Sequence, residues 1–213
     1  SNGRLELGLA RGAYLYEYDR IVPGMDAMEA GLRMREIVPT LQKLWKGDYA
    51  HDGKYFQFPS TTSIPKPLQN NGPPIWIAAR DPNSHEFAIA NDWDVQVTPL
   101  WKGFDEIERL KNIFDDICTK YSDKPKPLSM VLNHCYIGGN DDDIQKGAVA
   151  VSKFYNNFGA WFKNNRSVVQ GTMDPLTQDE LDNNEMCSPN EMKKNQNIGS
   201  LNEVIDNIKR YED

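Results

Sequence analysis

Pro73-Pro74-Ile75-Trp76-Ile77-Ala78-Ala79-Arg80-Asp81-Pro82-Asn83-Ser84 is the stretch on which the fold turns. An apolar run behind a double proline ends in Arg80. Asp81-Pro82 then supplies a capping side chain followed by proline at the first helical position. The pattern predicts a buried strand that turns straight into a helix, continuing as His85-Glu86-Phe87-Ala88-Ile89-Ala90-Asn91. Such a turn sets the helix's unpaired amides and the positive end of its dipole at the carboxyl edge of the strand, where anions bind well. Arg80 and the Ser84 hydroxyl would add a charged fork and a donor at the same place. An ordinary strand–turn–helix with Arg80 in solvent stays open beside that reading.

Upstream, Leu5-Glu6-Leu7-Gly8-Leu9-Ala10 reads as another strand running out into a basic residue and a glycine, Arg11-Gly12. Tyr14, Tyr16 and Tyr18 follow, either as a loop packed on the core or as a loop lining a ligand. Residues 25–46 space Met28, Leu32, Ile37, Leu41, Leu44 and Trp45 as a helix does. Pro39 is expected to kink or split that helix near Val38, and Gly47 to end it. Tyr49 through Phe58 predicts a β-hairpin turning at Asp52-Gly53, and 59–74 an extended, proline-punctuated connection. His51, beside that turn, reads as a surface residue.

Downstream, Asp94-Val95-Gln96-Val97-Thr98-Pro99-Leu100 predicts a strand, 104–121 an amphipathic helix, and 128–137 a further strand with His134 as a core histidine. Asp141-Asp142-Asp143 reads as the acidic start of a helix with a heavily aromatic face, rather than as metal ligands. Residues 164–196 are polar, with a short helical piece around 177–186. A stretch of that kind is expected to be a lid or disordered. Ile198-Gly199-Ser200 then caps a final helix. Four strands alternating with helices imply parallel pairing through right-handed crossovers. That count leaves an incomplete sheet, so the chain reads as the middle of a larger (β/α) protein.

A single domain, 1–213, is the simplest division, with enough chain for a sizeable core. A net charge of −7 argues against nucleic-acid binding, which demands clustered cations. It leaves room for a small anion at one local positive site. No apolar run approaches the roughly 20 residues a bilayer requires, so no membrane association is expected. Ser1-Asn2-Gly3-Arg4 leads directly into a strand, so no secretory leader is expected either. Cys118, Cys135 and Cys187 are odd in number and widely spaced, which suits a reducing, cytoplasmic compartment. His51, His85 and His134 form no pair at ligand spacing, so no metal site is expected.

Six motifs then occur in a telling order. They are Gly3-Arg4-Leu5-Glu6-Leu7-Gly8-Leu9-Ala10-Arg11-Gly12, Leu44-Trp45, His51-x-Gly53-x-Tyr55-Phe56-x-Phe58, Pro65-x-Pro67-x-Gln69, the Pro73–Ala79 run, and Ile198-Gly199-Ser200-x-x-Glu203-Val204. The ordered set resembles the bacterial-luciferase-like family of flavin-dependent monooxygenases and oxidoreductases.

The resemblance implies an α/β fold: a partial (β/α)8 TIM barrel, from about strand 4 to the helix before strand 8. A hairpin insertion would occupy 47–73 and a lid 164–196. It implies reduced FMN at the carboxyl ends of the strands and O2 as the oxidant of a small organic substrate. A separate flavin reductase, or NAD(P)H acting in place, would supply the electrons. By the same resemblance Arg11 and Tyr14 fall near the flavin and its phosphate. Ala79, Arg80 and Ser84 fall on the turn that holds the 5′-phosphate, and Thr98, with Pro99, beside the flavin ring. Asp81 departs from the family pattern, and its charge would repel a phosphate unless it turns to cap the helix. No catalytic acid or base is assigned.

A homo-oligomer is expected of the full-length form. A barrel lacking half its staves leaves open strand edges, so this piece by itself is expected to be poorly stable or to associate rather than to be an active monomer. An F420-dependent hydride-transfer reductase of the same fold and an inactive flavin-binding remnant remain as alternatives. So does a generic phosphate-binding α/β domain.

Overall fold

A computed structural model describes residues 1–163 and 166–212. The first two residues of the expected lid, 164 and 165, therefore lie outside the described residues, as does Asp213. The chain gathers into two compact units, one made of Ser1–Gln96 and Asn112–Met130, the other of Val97–Lys111 and 131–212.

The first unit is built on a sheet. Its elements are β1 (Leu7–Leu9), α1 (Leu15–Ile21), α2 (Ala27–Lys46), β2 (Tyr49–Asp52), β3 (Gln57–Thr61), β4 (Ile75–Ala78), α3 (Pro82–Ala90), β5 (Asp94–Val97) and β6 (Ser129–Val131). The sheet order is β1-β4-β5-β6. β1 and β5 flank β4 in parallel, Leu9 opposite Ile77 and Ile77 opposite Val95. Ile75 is 3% exposed and Ile77 and Val95 are closed off, whereas Trp76 is half-buried and Ala78 exposed. Alternate side chains of a strand point to opposite faces. The central strand is thus buried on one face only. On the other, Trp76 Nε1 donates to Glu6 Oε2 at 2.6 Å.

Two departures from expectation lie upstream. The tyrosine-rich segment is not a loop: 15–21 form α1, whose Tyr18 is buried with Met25 and Ala30 in a small cluster. Three tyrosines hid an apolar periodicity of which only Tyr18 is the core member. α2 also runs unbroken for 20 residues through Pro39. A proline inside a helix removes one hydrogen bond, and here its neighbours Val38 and Thr40, each 1% exposed, keep that turn in the core.

The hairpin forms as predicted, β2 antiparallel to β3, and α2 clamps it. Glu36 accepts from the amides of Lys54 (3.0 Å), Tyr55 (3.1 Å) and Phe56 (2.8 Å) and lies 3.2 Å from His51 Nε2. His51 is accordingly half-buried, where a surface residue was expected. Burial pushes the Glu36 carboxyl up. The Phe56 and Tyr55 amides and the His51 ring outweigh it and hold the carboxyl below the usual glutamate range. A depressed carboxyl adds stability above its unfolded-state value, near pH 4.3, and loses it as pH falls through the folded value. The protection of the 54–56 amides, measured against their intrinsic exchange rates, is therefore expected to fall as pH drops below about 4.3. Glu36→Gln should remove that pH dependence; an unchanged profile in the variant would count against the clamp.

The second unit holds the start of α4 (Phe104–Lys120), which continues into the first, then β7 (Cys135–Ile137), α5 (Asp141–Lys163), β8 (Val168–Val169), β9 (Thr172–Met173), α6 (Gln178–Asp182), a 3-10 turn (Glu185–Cys187), α7 (Pro189–Asn195), β10 (Asn197–Gly199) and α8 (Leu201–Lys209). Residues 128–137 are not one strand. β6 belongs to the first sheet and β7 pairs with β10. β10 itself was not expected. It is three residues long, parallel to β7 with Ile198 opposite Tyr136, and buried throughout. A three-residue strand covered on both faces carries no alternation to read. The chain thus has a strand directly before α8, and the expected count of four is too low. Ser200 then caps α8 as predicted, with its hydroxyl and Glu203 forming a reciprocal box.

The polar stretch is more ordered over 166–196 than expected. It contains the β8–β9 hairpin, α6 and α7. Cys187 and Met192 enter the core formed by Ala148, Val151, Tyr155 and Ile198.

Candidate functional site

In the first unit β1 and β4 are parallel with Leu9 opposite Ile77. Arg11 and Arg80 therefore leave the same end of adjacent strands, two and three residues past a paired position. Arg11 is exposed and its Nη1 donates to the Ala27 carbonyl at 3.2 Å. Arg80 is half-buried at the β4–α3 turn. Gly12, next to Arg11, has a φ of +89°, and a β-carbon there would stand 2.8 Å from the Tyr18 ring. Glycine is needed at 12 so that the loop can pass over α1. Tyr14 is half-buried at the start of α1, and its ring stacks on Tyr16 with centroids 6.1 Å apart.

The β4–α3 turn holds an anion of its own. Asp81 accepts from the Ser84 amide at 3.1 Å and from the Ser84 hydroxyl at 2.7 Å. Burial pushes the Asp81 carboxyl up. The Ser84 hydroxyl, the Ser84 and Asn83 amides and the charge of Arg11 outweigh burial, and the carboxyl sits below the usual aspartate range. His85, fully buried, fixes the turn from beneath, with Nδ1 3.0 Å from the Asp81 carbonyl oxygen. Ala79 is 1% exposed, and its amide is spent within the sheet on the Gln96 carbonyl at 3.0 Å.

Thus Arg11, Asp81 and Ser84 act on one another at this turn, with Arg80 in the same turn and Tyr14 in the loop that follows β1. The α3 amides and the Ser84 hydroxyl expected to face a ligand are engaged by Asp81. The cationic chemistry of the site rests on the two guanidiniums. A phosphate ester suits the two arginines that leave one strand end.

Thr98 belongs to the second unit. Its Oγ1 accepts from the Leu100 amide at 3.2 Å, and Leu100 takes a φ of 56°. The second unit also holds a cleft of about 450 Å³ that the sequence reading missed. Trp101 and Tyr155 meet edge to face on its wall, with centroids 6.1 Å apart. Asn184 Nδ2 donates to Asn156 Oδ1 at 2.8 Å, and the Ser152 hydroxyl to the Cys187 carbonyl at 2.5 Å, which ties α5 to the 3-10 turn. Arg166 donates to the carbonyls of Asp174 (3.2 Å) and Pro175 (3.1 Å) and pairs with Glu180. The Thr177 amide and Arg166 hold Glu180 down at about 2. The signal that could have exposed the cleft is Gly159, a gap in the aromatic face of α5 between Tyr155 and Phe162.

His134 packs its ring against Phe154 and Tyr155 at 5.0 and 5.1 Å, and burial pushes its pKa down. Among the described residues no group of three His, Cys, Asp or Glu side chains gathers as a metal site would. No described helix is long and apolar enough to cross a membrane.

A family model for the luciferase-like monooxygenase matches residues 1–213. The oxygenase component of a flavin-dependent trigonelline monooxygenase from Acinetobacter baylyi is 52% identical over 212 residues. That alignment takes in 100% of this chain and 59% of that protein. The monooxygenase RslO1 from Streptomyces bottropensis superposes with a TM-score of 0.73 at 22% identity, covering 99% of this chain and 58% of its own. An F420-dependent secondary alcohol dehydrogenase superposes at 0.66 with 14% identity, covering 99% of this chain and 61% of its own. The chain spans under two thirds of the length of each.

Proposed function

Since this chain belongs to the luciferase-like monooxygenase family, we propose that the protein carrying it is the oxygenase component of a flavin monooxygenase, acting on trigonelline or a closely similar N-methylpyridinium carboxylate. The observation that carries the reading is 52% identity maintained over the whole chain to an oxygenase of that name. The strand arrangement supports part of a (β/α)8 barrel, with the remaining staves supplied by chain beyond this piece. Three free cysteines and no disulfide among the described residues support a cytoplasmic location. Fold likeness alone extends to an F420 enzyme as well as to a monooxygenase, so the preference for a flavin rests on the closer sequence relative.

Arg80 and Arg11 would neutralise the FMN 5′-phosphate at the carboxyl ends of β4 and β1, while Asp81 caps α3 and keeps the turn in shape. Tyr14 is proposed to lie near the flavin, and Thr98 keeps only the place beside the ring that the family resemblance implies. When bound, reduced FMN supplies the two electrons that activate O2, one oxygen atom entering the substrate and the other leaving as water. A separate reductase is the proposed source of the reduced flavin. Residues 166–186 are proposed as the lid, because 187–196 supply core side chains.

The test is turnover of trigonelline by the full-length protein under air, with reduced FMN supplied by an added reductase. One O2 consumed per substrate oxidised is the expected result. Oxygen-independent turnover with F420 in place of FMN would replace the reading by the hydride-transfer alternative.

A further inference from the structure

We infer that the cleft of the second unit is a recognition site for a zwitterionic heteroaromatic acid: a flat, N-alkylated ring that also carries a carboxylate. The assignment rests on the substrate class proposed above and adds which side chains recognise it.

Size and walls come first. About 450 Å³ lies within the ~300–1,000 Å³ of small-molecule sites and holds a substituted six-membered ring with room to spare. Trp101, Tyr155 and Phe162 line it, and aromatic faces attract a ring-borne cation. Asn156 and Asn184 also line it, but they satisfy one another.

Charge then narrows the class. The charged groups lining the cleft are Arg166 and Glu180, paired with each other. Their sum is zero and they are in direct contact, so a charged group of a ligand must replace one partner of the pair. A simple anion would gain Arg166 but meet Glu180. A simple cation would gain Glu180 and the rings but meet Arg166. A ligand that carries both charges satisfies both poles, and discrimination against each half follows from the repulsive partner. Both groups stay charged at neutral pH, Glu180 because it is held at about 2 and Arg166 because a guanidinium does not deprotonate. The carbonyls of Asp174 and Pro175 hold Arg166 in place before any ligand arrives, which lowers the cost of ordering it.

Gly159 provides the test. It lines the cleft, and a β-carbon built on it meets no atom within 4 Å. Gly159→Leu would stand in the cleft without displacing backbone, and in a helix it replaces the poorer helix former. The flavin-free protein would be titrated calorimetrically with trigonelline, with nicotinate (the anion without the cation) and with N-methylpyridinium (the cation without the anion).

Trigonelline is expected to bind roughly tenfold or more tightly than either half. Gly159→Leu should weaken it by about tenfold or more with no fall in thermal midpoint. Arg166→Met should bring trigonelline and N-methylpyridinium to similar affinities, the first weakened by loss of its carboxylate partner and the second strengthened by loss of the repelling cation. Tight binding of trigonelline that neither substitution alters would overturn the cleft while leaving the proposed substrate standing. Failure of the unaltered protein to bind trigonelline would remove both. If Arg166→Met also loosens the 166–180 segment, seen as a lowered midpoint, Gly159→Leu decides.

Discussion

Replacing Arg80 with alanine is expected to weaken FMN binding by about 1.5–3 kcal/mol while changing riboflavin affinity little, because riboflavin lacks the phosphate that the guanidinium is proposed to contact. The comparison isolates the phosphate: riboflavin carries the same ring system without it. Arg80 is half-buried at the end of β4, on the turn whose helix end is already capped by Asp81. The same arrangement makes a second substitution informative. Asn caps a helix about as well as Asp, so Asp81→Asn keeps the cap on the Ser84 amide while deleting a negative charge beside the proposed phosphate site. It should tighten FMN and leave riboflavin alone. Flavin fluorescence titrations of the two variants check both statements. Equal losses for the two ligands in Arg80→Ala would place the phosphate elsewhere.

Met192→Ala is expected to cost about 2–5 kcal/mol of stability, the range for truncating a fully buried methionine. Met192 is 0% exposed in α7, within the core of Ala148, Val151, Tyr155, Cys187 and Ile198. A cavity left there has apolar walls that can only partly collapse. Met186, six residues earlier and 64% exposed, is the control: Met186→Ala should change stability by no more than about 0.5 kcal/mol. Urea unfolding of the two variants separates a proposed lid ending near 186 from one that runs on to 196. A small effect at both positions would extend the proposed lid through α7.

Much of the fold was legible because local signals were strong. Double proline, apolar run and Asp-Pro identified β4 and the start of α3, and Asp52-Gly53 identified the hairpin. The spacing of 25–46 identified α2 to within two residues at its start. Where local rules failed, burial had overridden them. α2 tolerates Pro39 because its neighbours sit in the core, and the strand at 197–199 has both faces covered and thus no pattern. Tyr18 is the single buried tyrosine in a segment whose composition suggested a loop.

The site divides along the same line. From the order of residues alone came a cationic strand end, a capped helix start and a membership that the family match sustains. These depend on side chains a few positions apart, whose relations the chain itself enforces. Which donors are left for a ligand was settled only by folding. Asp81 could face outward or turn in upon Ser84, and in the fold it turns in, accepting from the Ser84 amide and hydroxyl. Likewise Arg166 and Glu180, fourteen residues apart, and Trp101 and Tyr155, more distant still, share a cleft because packing brought them together. No periodicity records a meeting of that kind.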